Sequence, residues 1–433
     1  MNELVEVMWS AVSERAHPPV SFRGAGTLES RYAVSQFAAA AIATAGLAAG
    51  GEVVVDRPLA DAWFGPALRP VGWQLPSPWD ELAGDYRATD GWVRIHTNAP
   101  HHRLAAILAL EVGEGGDERG RITATVAQMS AKEVEDAVVD SGGAAAVLRS
   151  PTQWAAHPQG IAVAAEPLIA WASVGHSERE PGFKVLDLTR VIAGPVATRF
   201  LAGLGADVLR IDPPDWNEPA VSPEMTLGKR SARASFHDAG GMRKLGLLIA
   251  EADVIVRGYR ADALERLGLD DDAIRELNHG IVDVAIDAYG WTGPWRNRRG
   301  FDSLVQMSSG IAFGDPPSPL PVQALDHATG YLAAAAALEG LRRRRDSGQG
   351  STAKLSLART ALALPWGESP ETTQPETAQP ETAGPETTQL ETTQLETPWG
   401  DARLLRSPLT IDGRPLHWDK PPRDLGADAP VWA

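Results

Sequence analysis

Residues 320–345 contain a carboxylate that could act as a nucleophile. Residues 333–337 are alanines, which are the strongest helix formers, and residues 342–345 are arginines, which are favourable at the C-terminal end of a helix. Asp326 is therefore expected at or just before the N-terminus of this helix, where unpaired N–H groups and the helix dipole hold a carboxylate ionised and oriented. Two roles stay open for Asp326: an ordinary N-cap, which is the commoner role of Asp at such a position, and a nucleophile that forms a covalent intermediate.

Cysteine and histidine add little further chemistry. The chain contains no cysteine, which excludes disulfides, cysteine metal ligands and thiol nucleophiles. His96, His101 and His102 lie close together in the sequence, but their spacing matches no metal signature and no acidic partner lies nearby. We therefore predict that the protein has no metal site.

The composition restricts the class of protein. The 433 residues carry a net charge of −16, and 43% of them are hydrophobic, which is enough for two or three packed domains. Seven glutamates lie in residues 368–396 without any Lys or Arg, so the rest of the chain carries only −9. This charge argues against nonspecific nucleic-acid binding. No apolar run is long enough to span a bilayer, and the first residues lack the basic region of a signal peptide, so we expect a cytoplasmic enzyme.

The elements that position Asp326 belong to an alternating strand–helix pattern. Strands are predicted at 184–189, 206–212, 253–256 and 281–286, with helices at 196–204 and 241–251 between them. This alternation is typical of a doubly wound parallel sheet, so we predict an α/β fold with a Rossmann-like domain at 182–366. The first strand is not followed by Gly-x-Gly-x-x-Gly, and no Walker loop is present, so the sequence does not support NAD or ATP binding.

Other regions flank this domain. We predict an N-terminal helical segment at 1–84 that packs on the large domain, a small α+β domain at 85–178 with a loop at 157–160, a disordered Pro-Glu-Thr repeat at 367–398, and a tail at 399–433 that packs back. The helix–strand–helix order of residues 32–64 recurs at 331–364, which suggests a repeated half-motif with Tyr32 in the position of Asp326.

Several stretches, taken together and in order, resemble the family III CoA-transferases, which include the carnitine dehydratase and bile-acid-operon enzymes. The resemblance covers about residues 183–360 and rests on the segments 185–195, 204–212, 228–231, 252–256, 264–269, 299–302 and 326–330, the last of which reads Asp-His-Ala-Thr-Gly. It implies a Rossmann-like large domain, a small domain and an interlocked homodimer. The small domain usually follows the large one in this family, whereas here it precedes it, so the resemblance indicates a rearranged or half-duplicated member.

The resemblance also implies that Asp326 is the nucleophile of a CoA-transferase. In such enzymes the carboxylate attacks an acyl-CoA to give a mixed anhydride, and the CoA thiolate then gives an aspartyl-CoA thioester that passes CoA to a second carboxylic acid. Asp302 would be a supporting carboxylate or a structural cap. Coenzyme A would enter as the acyl-CoA substrate, with no permanently bound cofactor. The residues implied in binding it are Val191, Ile192, His237, Gly258, Tyr259, Arg266, Leu267, Arg299 and Phe301.

Some of these positions suggest a specific contact. Arg266 and Arg299 are the expected phosphate partners, because a guanidinium group pairs with phosphate through two parallel hydrogen bonds. Tyr259 would either stack on the adenine or pack in the core. Ile192 stands where a formyl-CoA transferase has glutamine, and His237 where it has lysine, so the contacts to substrate are expected to differ from those of that enzyme.

Two alternatives stay open beside the transferase. The first is an acyl-CoA racemase or dehydratase of the same family, but Phe301 occupies the position where the racemases carry a histidine directly before an aspartate, and proton exchange needs two acid–base groups. The second is a CoA-binding paralogue without catalysis, suggested by the domain order and the repeat. The apolar side chains of Val191, Ile192 and Phe301 favour a larger acyl group than formyl or oxalate.

Overall fold

The computed structural model describes residues 1–113, 115–258, 261–367 and 390–432. The N-terminal segment and the region after it contain α1 (Asn2–Val12), β1 (Val20–Arg23), α2 (Val34–Ala49), β2 (Val53–Asp56), α3 (Arg57–Trp63), β3 (Leu68–Pro70), β4 (Gly84–Arg87), β5 (Trp92–Ile95), α4 (Pro100–Ala109), α5 (Glu118–Val126), α6 (Ala131–Asp140), β6 (Ala145–Val147), α7 (Pro151–Ala156) and α8 (Pro158–Ala165).

The large domain and the tail follow. Their elements are β7 (Ala170–His176), β8 (Lys184–Leu188), α9 (Ala193–Gly203), β9 (Asp207–Asp212), α10 (Ser222–Met225), β10 (Arg230–Arg233), α11 (Ala239–Glu251), β11 (Val254–Arg257), α12 (Ala261–Glu265), α13 (Asp271–Leu277), β12 (Val282–Asp287), α14 (Asp302–Ser309), α15 (Ala324–Ser347), β13 (Gln349–Ser356), α16 (Leu357–Ala361), β14 (Thr392–Thr397), β15 (Gly400–Leu405), β16 (Leu409–Ile411) and β17 (Arg414–Pro415).

A mainly parallel sheet forms the centre of the molecule. Within the described residues it has seven strands in the order β10-β9-β8-β11-β12-β13-β7. All neighbouring pairs from β10 to β13 are parallel, and only the edge pair of β13 with β7 is antiparallel. Strands such as β11 and β12 are buried along their whole length, as expected for a sheet with helices on both faces. The prediction of an α/β fold is therefore confirmed at the level of a large, mainly parallel sheet.

The order of the strands places a crevice at one edge of this sheet. The chain runs from β8 to β9 and β10 on one side, and then returns to β11 on the other side of β8. The direction of winding therefore reverses between β8 and β11. In open α/β sheets, ligands bind outside the carboxyl ends of the strands at such a reversal.

Helix α15 crosses the core of the molecule. Its residues from Ala324 to Leu341 are buried on all sides, and a helix without a polar face must be covered all round. The covering elements include α2, α9, α16 and β13. α15 ends at Gly348, which has a left-handed φ of 72°, and leads directly into β13. Because the helix ends at the amino end of a parallel strand, its first turn lies at the carboxyl edge of the sheet.

The small region between β4 and α8 has its own core. β4, β5 and β6 form an antiparallel sheet, and α4, α5 and α6 pack on it around residues such as Val93, Ile122 and Val134. β6 also packs on α14 through a shared apolar cluster that includes Ala146, Leu304 and Met307. The small region therefore lies against the helix that precedes α15.

The structure corrects several predicted elements. Residues 157–160 are not a loop, because His157 is the N-cap of α8 and Gln159 lies buried within it. Strands β1, β7 and β10 were not predicted: they are edge or short strands with mixed polarity, which gives a weak signal. Residues 392–397 form strand β14, so the predicted disordered segment ends too late, while residues 368–389 of that segment lie outside the described residues.

The tail joins the N-terminal segment and the large domain. β16 pairs with β2, and β15 pairs with β3, so the tail completes two small sheets with the first segment. Trp418 stacks on Trp63 with ring centroids 5.2 Å apart, and its indole N–H donates to the carbonyl of Arg199. These contacts cover part of α9.

Two helix–strand–helix units are arranged alike. α2, β2 and α3 match α15, β13 and α16 in order, and α2 packs along α15. In both units the short second helix starts at a polar cap, Asp56 Oδ1 in one and Ser356 Oγ in the other. Asp326 lies 22 residues before Gly348, the C-cap of α15, and the residue 22 before Gly50, the C-cap of α2, is Leu28. Because α2 has 16 residues and α15 has 24, the two units cannot be superimposed residue by residue, and the equivalence of Tyr32 with Asp326 stays a prediction.

Candidate active site

The N-terminus of α15 is capped by a carboxylate from another helix. Asp302, the first residue of α14, accepts hydrogen bonds at Oδ2 from the backbone N–H groups of Leu325 (2.8 Å) and Asp326 (3.0 Å). Its Oδ1 accepts from the side-chain amide of Gln306. The other end of that amide, Gln306 Oε1, accepts the N–H of Leu320 at 2.8 Å. Asp302 thus fixes both the start of α15 and the preceding loop to α14.

Asp326 has a different environment. It is the third residue of α15 and is 8% exposed, and within the described residues no hydrogen bond reaches its carboxylate. Burial, and then the negative charge of Asp302, raise the pKa of the Asp326 carboxyl well above its ordinary range. Burial also raises the pKa of Asp302 to about 6, although the N–H groups of Asp326 and Leu325 and the amide of Gln306 oppose this rise. The Asp302 carboxylate therefore accepts three hydrogen bonds, whereas the Asp326 carboxylate accepts none from the described residues.

This geometry corrects two expectations about Asp326. The ordinary N-cap interpretation is wrong, because the N-cap residue is Gln323 and the cap hydrogen bonds are accepted by Asp302. The helix N-terminus also does not lower the pKa of Asp326 as expected, because burial and the charge of Asp302 raise it. The N–H groups that would stabilise its charge are bonded to Asp302, so burial determines its pKa.

Three of the predicted CoA contacts lie at the reversal between β8 and β11. Val191 and Ile192 follow β8 and lead into α9, while Gly258 directly follows β11 and donates its N–H to the carbonyl of Leu188 at 3.3 Å. The first turn of α15 approaches the same place. A Cβ added at Gly330 would lie 2.4 Å from the carbonyl oxygen of Ala193 in α9, and Asp326 is about one helical turn beyond that contact.

Other predicted CoA contacts lie around this edge. His237 is exposed after β10, and its N–H donates to Ser235 Oγ at 3.2 Å. The Arg266 side chain is 73% exposed and forms an ion pair with Asp262 one turn earlier. Leu267 is half-buried and packs against the core formed by β8, β9 and α11, which competes with a role in CoA binding. Tyr259 lies outside the described residues.

The remaining two predicted contacts face the small region. Arg299 lies beside the turn after α6, since a Cβ added at Gly142 would be 3.7 Å from its guanidinium. Phe301 stacks on the imidazole of His96 with ring centroids 3.7 Å apart and planes 4° from parallel. His102 meets Phe301 edge-on at 5.7 Å. The small region therefore contributes imidazole groups next to the residue that precedes Asp302.

The electrostatic environment of the carboxylate pair also includes the small region. Arg94, in β5, forms an ion pair with Asp85 at 2.8 Å and is close enough to Asp302 to oppose the rise of its pKa. Burial lowers the pKa of His96 to about 3, so this imidazole is neutral at physiological pH. Among the described side chains no group of three or more is arranged to hold a metal ion, and no described helix has the length and apolarity to cross a membrane.

The part of the chain that contains these residues is similar to a known protein family. The model of CoA-transferase family III matches residues 181–395, which include both Asp302 and Asp326. Residues 181–395 are thus similar to CoA-transferase family III. The resemblance noted in the sequence is thereby confirmed for this region.

Similar proteins carry CoA-transferase names. The chain is 32% identical to an acyl-CoA transferase of Fusarium pseudograminearum, over 42% of this chain and 46% of that protein. It is 35% identical to the succinyl-CoA:glutarate CoA-transferase of mouse, over 39% of this chain and 43% of the relative. A crystal structure of a hypothetical protein from Mycobacterium tuberculosis shares 28% identity and a TM-score of 0.39, covering 42% of this chain and 56% of that one. The chain thus spans about half the length of the curated relatives it matches.

Several residues at the candidate site were missed by sequence reasoning. His96 was considered only as a metal ligand, and Arg94, Gln306 and Glu218 were not considered at all. Glu218 accepts the N–H of Val191 at 3.0 Å. No local pattern marks these residues, because each acts through a contact with a distant segment of the chain.

Proposed function

We propose that the protein is a CoA-transferase that moves CoA between an acyl-CoA and a carboxylic acid through a covalent intermediate on Asp326. The observation that carries the proposal is the division of roles between two adjacent carboxylates. Asp302 accepts the hydrogen bonds of the α15 N-terminus and of Gln306, and Asp326 accepts none within the described residues. A nucleophile must keep a lone pair available for the substrate carbonyl, and Asp326 meets this condition.

The chemistry needs no external proton donor. Ionised Asp326 attacks the thioester carbonyl of the donor, the carbon–sulfur bond breaks, and CoA leaves as a thiolate with a mixed anhydride on the enzyme. The thiolate then attacks the aspartyl carbonyl and releases the donor acid as a carboxylate, which leaves an aspartyl-CoA thioester. The acceptor carboxylate repeats both steps in reverse order and regenerates Asp326. Each step expels a good leaving group, which is how covalent catalysis divides a difficult exchange.

The CoA moiety would bind at the reversal between β8 and β11. Val191, Ile192 and Gly258 lie at this edge, close to the first turn of α15. Arg266 is exposed and would reach phosphate if it left its ion pair with Asp262. His237, Tyr259, Leu267, Arg299 and Phe301 complete the proposed contacts. Coenzyme A acts here as a substrate without a permanently bound cofactor, and a cytoplasmic location stays a prediction.

An exchange assay tests the proposal. Purified protein is incubated with a panel of acyl-CoA donors and carboxylic acids, and the new acyl-CoA is separated by chromatography. Asp326→Asn should lower exchange by at least about 10³-fold, as expected when a covalent nucleophile is removed. Asp346→Asn, the same change at the exposed far end of α15, should leave exchange within about twofold, since surface changes have small effects. Full exchange by Asp326→Asn would contradict the proposal.

A second candidate function is proton exchange at the α-carbon of an acyl-CoA. The observation that favours it is the neutral imidazole of His96, which stacks on Phe301 where the racemases of this family carry their own histidine. Deuterium incorporation from D2O at the α-carbon, without acid-dependent CoA exchange, would support this function. CoA binding without either reaction over the whole panel would instead support a non-catalytic paralogue.

A further inference from the structure

Val191 has an unusual backbone conformation. Its φ is +63°, in the left-handed region, which a β-branched residue adopts only at a cost. The residue lies in the loop between β8 and α9, at the reversal of the sheet. A glycine would adopt this φ without strain. The conformation therefore has to be held by its surroundings.

Glu218 holds the backbone of Val191 through a hydrogen bond. Its Oε2 accepts the N–H of Val191 at 3.0 Å and the indole N–H of Trp216 at 3.1 Å. Its Oε1 accepts from Arg210, which is completely buried and is also bonded to Asp212. The Glu218 side chain is 8% exposed, so these bonds are made in a low-dielectric environment where they are strong.

Arg190, which precedes Val191, is held by the same loop after β9. The guanidinium of Arg190 lies over the ring of Trp216, with 4.1 Å between its central carbon and the ring centroid. Residues 190 and 191 are thus attached to the loop after β9 by a side-chain stack and a backbone hydrogen bond. This arrangement fixes the direction in which the β8–α9 loop leaves the sheet, and with it the start of α9.

We propose that Glu218 is a positioning residue that keeps Val191 in the left-handed conformation so that the β8–α9 loop is preformed for the CoA moiety of the substrate. The proposal rests on the proposed function, because it assigns the ligand of this loop from it. Strained backbone that costs stability persists where the surrounding structure over-determines it, and such places cluster at ligand sites. A preformed loop binds more tightly because less freedom is lost on binding.

Titration calorimetry with free CoA tests this role. Glu218→Gln leaves an amide that cannot accept from both Val191 and Arg210, so we expect the Kd for CoA to rise about tenfold, corresponding to the loss of one charged hydrogen bond. In the exchange assay the KM for acyl-CoA should rise while kcat changes less. The matched control is Glu339→Gln, another buried glutamate among arginines, which lies 13 residues beyond Asp326 in α15. This control should lower the melting temperature comparably but leave the Kd unchanged.

The outcomes separate the two proposals. Wild-type affinity in Glu218→Gln would overturn the positioning role alone, whereas wild-type protein without affinity for CoA would overturn the proposed function and this role together. If Glu218→Gln does not fold, Trp216→Phe removes one hydrogen bond to Glu218 and keeps an aromatic ring under Arg190. We expect this milder variant to raise the Kd about two- to threefold, and an unchanged Kd would again count against the role of Glu218.

Discussion

At the scale of single residues, the raised pKa of Asp326 predicts how its substitution affects stability. Since the folded-state pKa lies above the unfolded value, the protonated carboxyl stabilises the fold at low pH, and this contribution is lost as the pH rises through the folded-state pKa. Asp326→Asn cannot ionise. We therefore expect it to raise the melting temperature by about 2–4 °C at pH 8, corresponding to about 1 kcal/mol, and to have little effect at pH 4. Thermal unfolding at both pH values would show this, and destabilisation at pH 8 would contradict a buried ionisable group.

Asp302 influences the pH dependence of the reaction through its charge. The nucleophile must be ionised, so exchange is lost as the pH falls through the pKa of Asp326, and the negative charge of Asp302 raises that pKa. Asp302→Asn keeps an oxygen that accepts a cap hydrogen bond but removes the charge. We expect the acidic limb of the pH–rate profile to move to lower pH. A limb that stays in place or moves to higher pH would show that Asp302 does not act on Asp326 in this way.

At the scale of elements, the contact between α15 and α9 depends on Gly330. A Cβ at this position would lie 2.4 Å from the carbonyl of Ala193 and 2.9 Å from Val196 Cβ, so the two helices would have to separate. We expect Gly330→Ala to destabilise the protein by about 1–3 kcal/mol, as overpacked cores do, and to slow exchange by displacing Asp326. Denaturant unfolding measures the first effect.

Gly246→Ala is the matched control for this change. Gly246 also lies inside a helix, α11, but an added Cβ would meet nothing closer than 3.8 Å. There the gain in helix propensity should dominate and stabilise the protein by about 0.5–1 kcal/mol. Equal effects of the two substitutions would show that the close approach of α15 to α9 has no energetic importance.

The elements show what the sequence could and could not predict. The end of α15 shortly after the arginines 342–345 and the strands at 184–188 and 282–287 were predictable, because alanine content, terminal cations and apolar runs are local signals. The capping of α15 by Asp302 was not, since donor and acceptor are 24 residues apart and belong to different helices. The sequence therefore identified both carboxylates of the candidate site but left the cap role open for each of them.

The contacts of the small region could not be predicted from the sequence either, because they also join residues that are distant along the chain. The stack of His96 on Phe301 joins residues that are 205 positions apart. Local patterns report whether a segment is a strand or a helix, but the side chains it meets depend on how the domains pack. The resemblance to family III could not supply this contact, because the small region precedes the large domain in this chain.

At the scale of the whole molecule, the pairing of α2 with α15 predicts the oligomeric state. Each half-motif contains an apolar helix that it cannot bury alone, and here the two helices are buried against each other within one chain. We therefore expect a single chain per particle instead of the interlocked homodimer that the resemblance implies. Light scattering coupled to size-exclusion chromatography should give about 46.1 kDa. Twice this mass at micromolar concentration would contradict the inference that α2 and α15 bury each other within one chain.

The central claim, covalent catalysis by Asp326, is tested most directly by trapping the intermediate. The protein is incubated with a panel of acyl-CoAs, quenched with hydroxylamine, digested and examined by mass spectrometry. Hydroxylamine converts an aspartyl thioester or anhydride into a hydroxamate, so we predict this modification on Asp326 with at least one donor, and its absence in Asp326→Asn. An unmodified Asp326 peptide in protein that demonstrably binds CoA, or a hydroxamate on Asp302 instead, would contradict the assignment of Asp326 as the nucleophile.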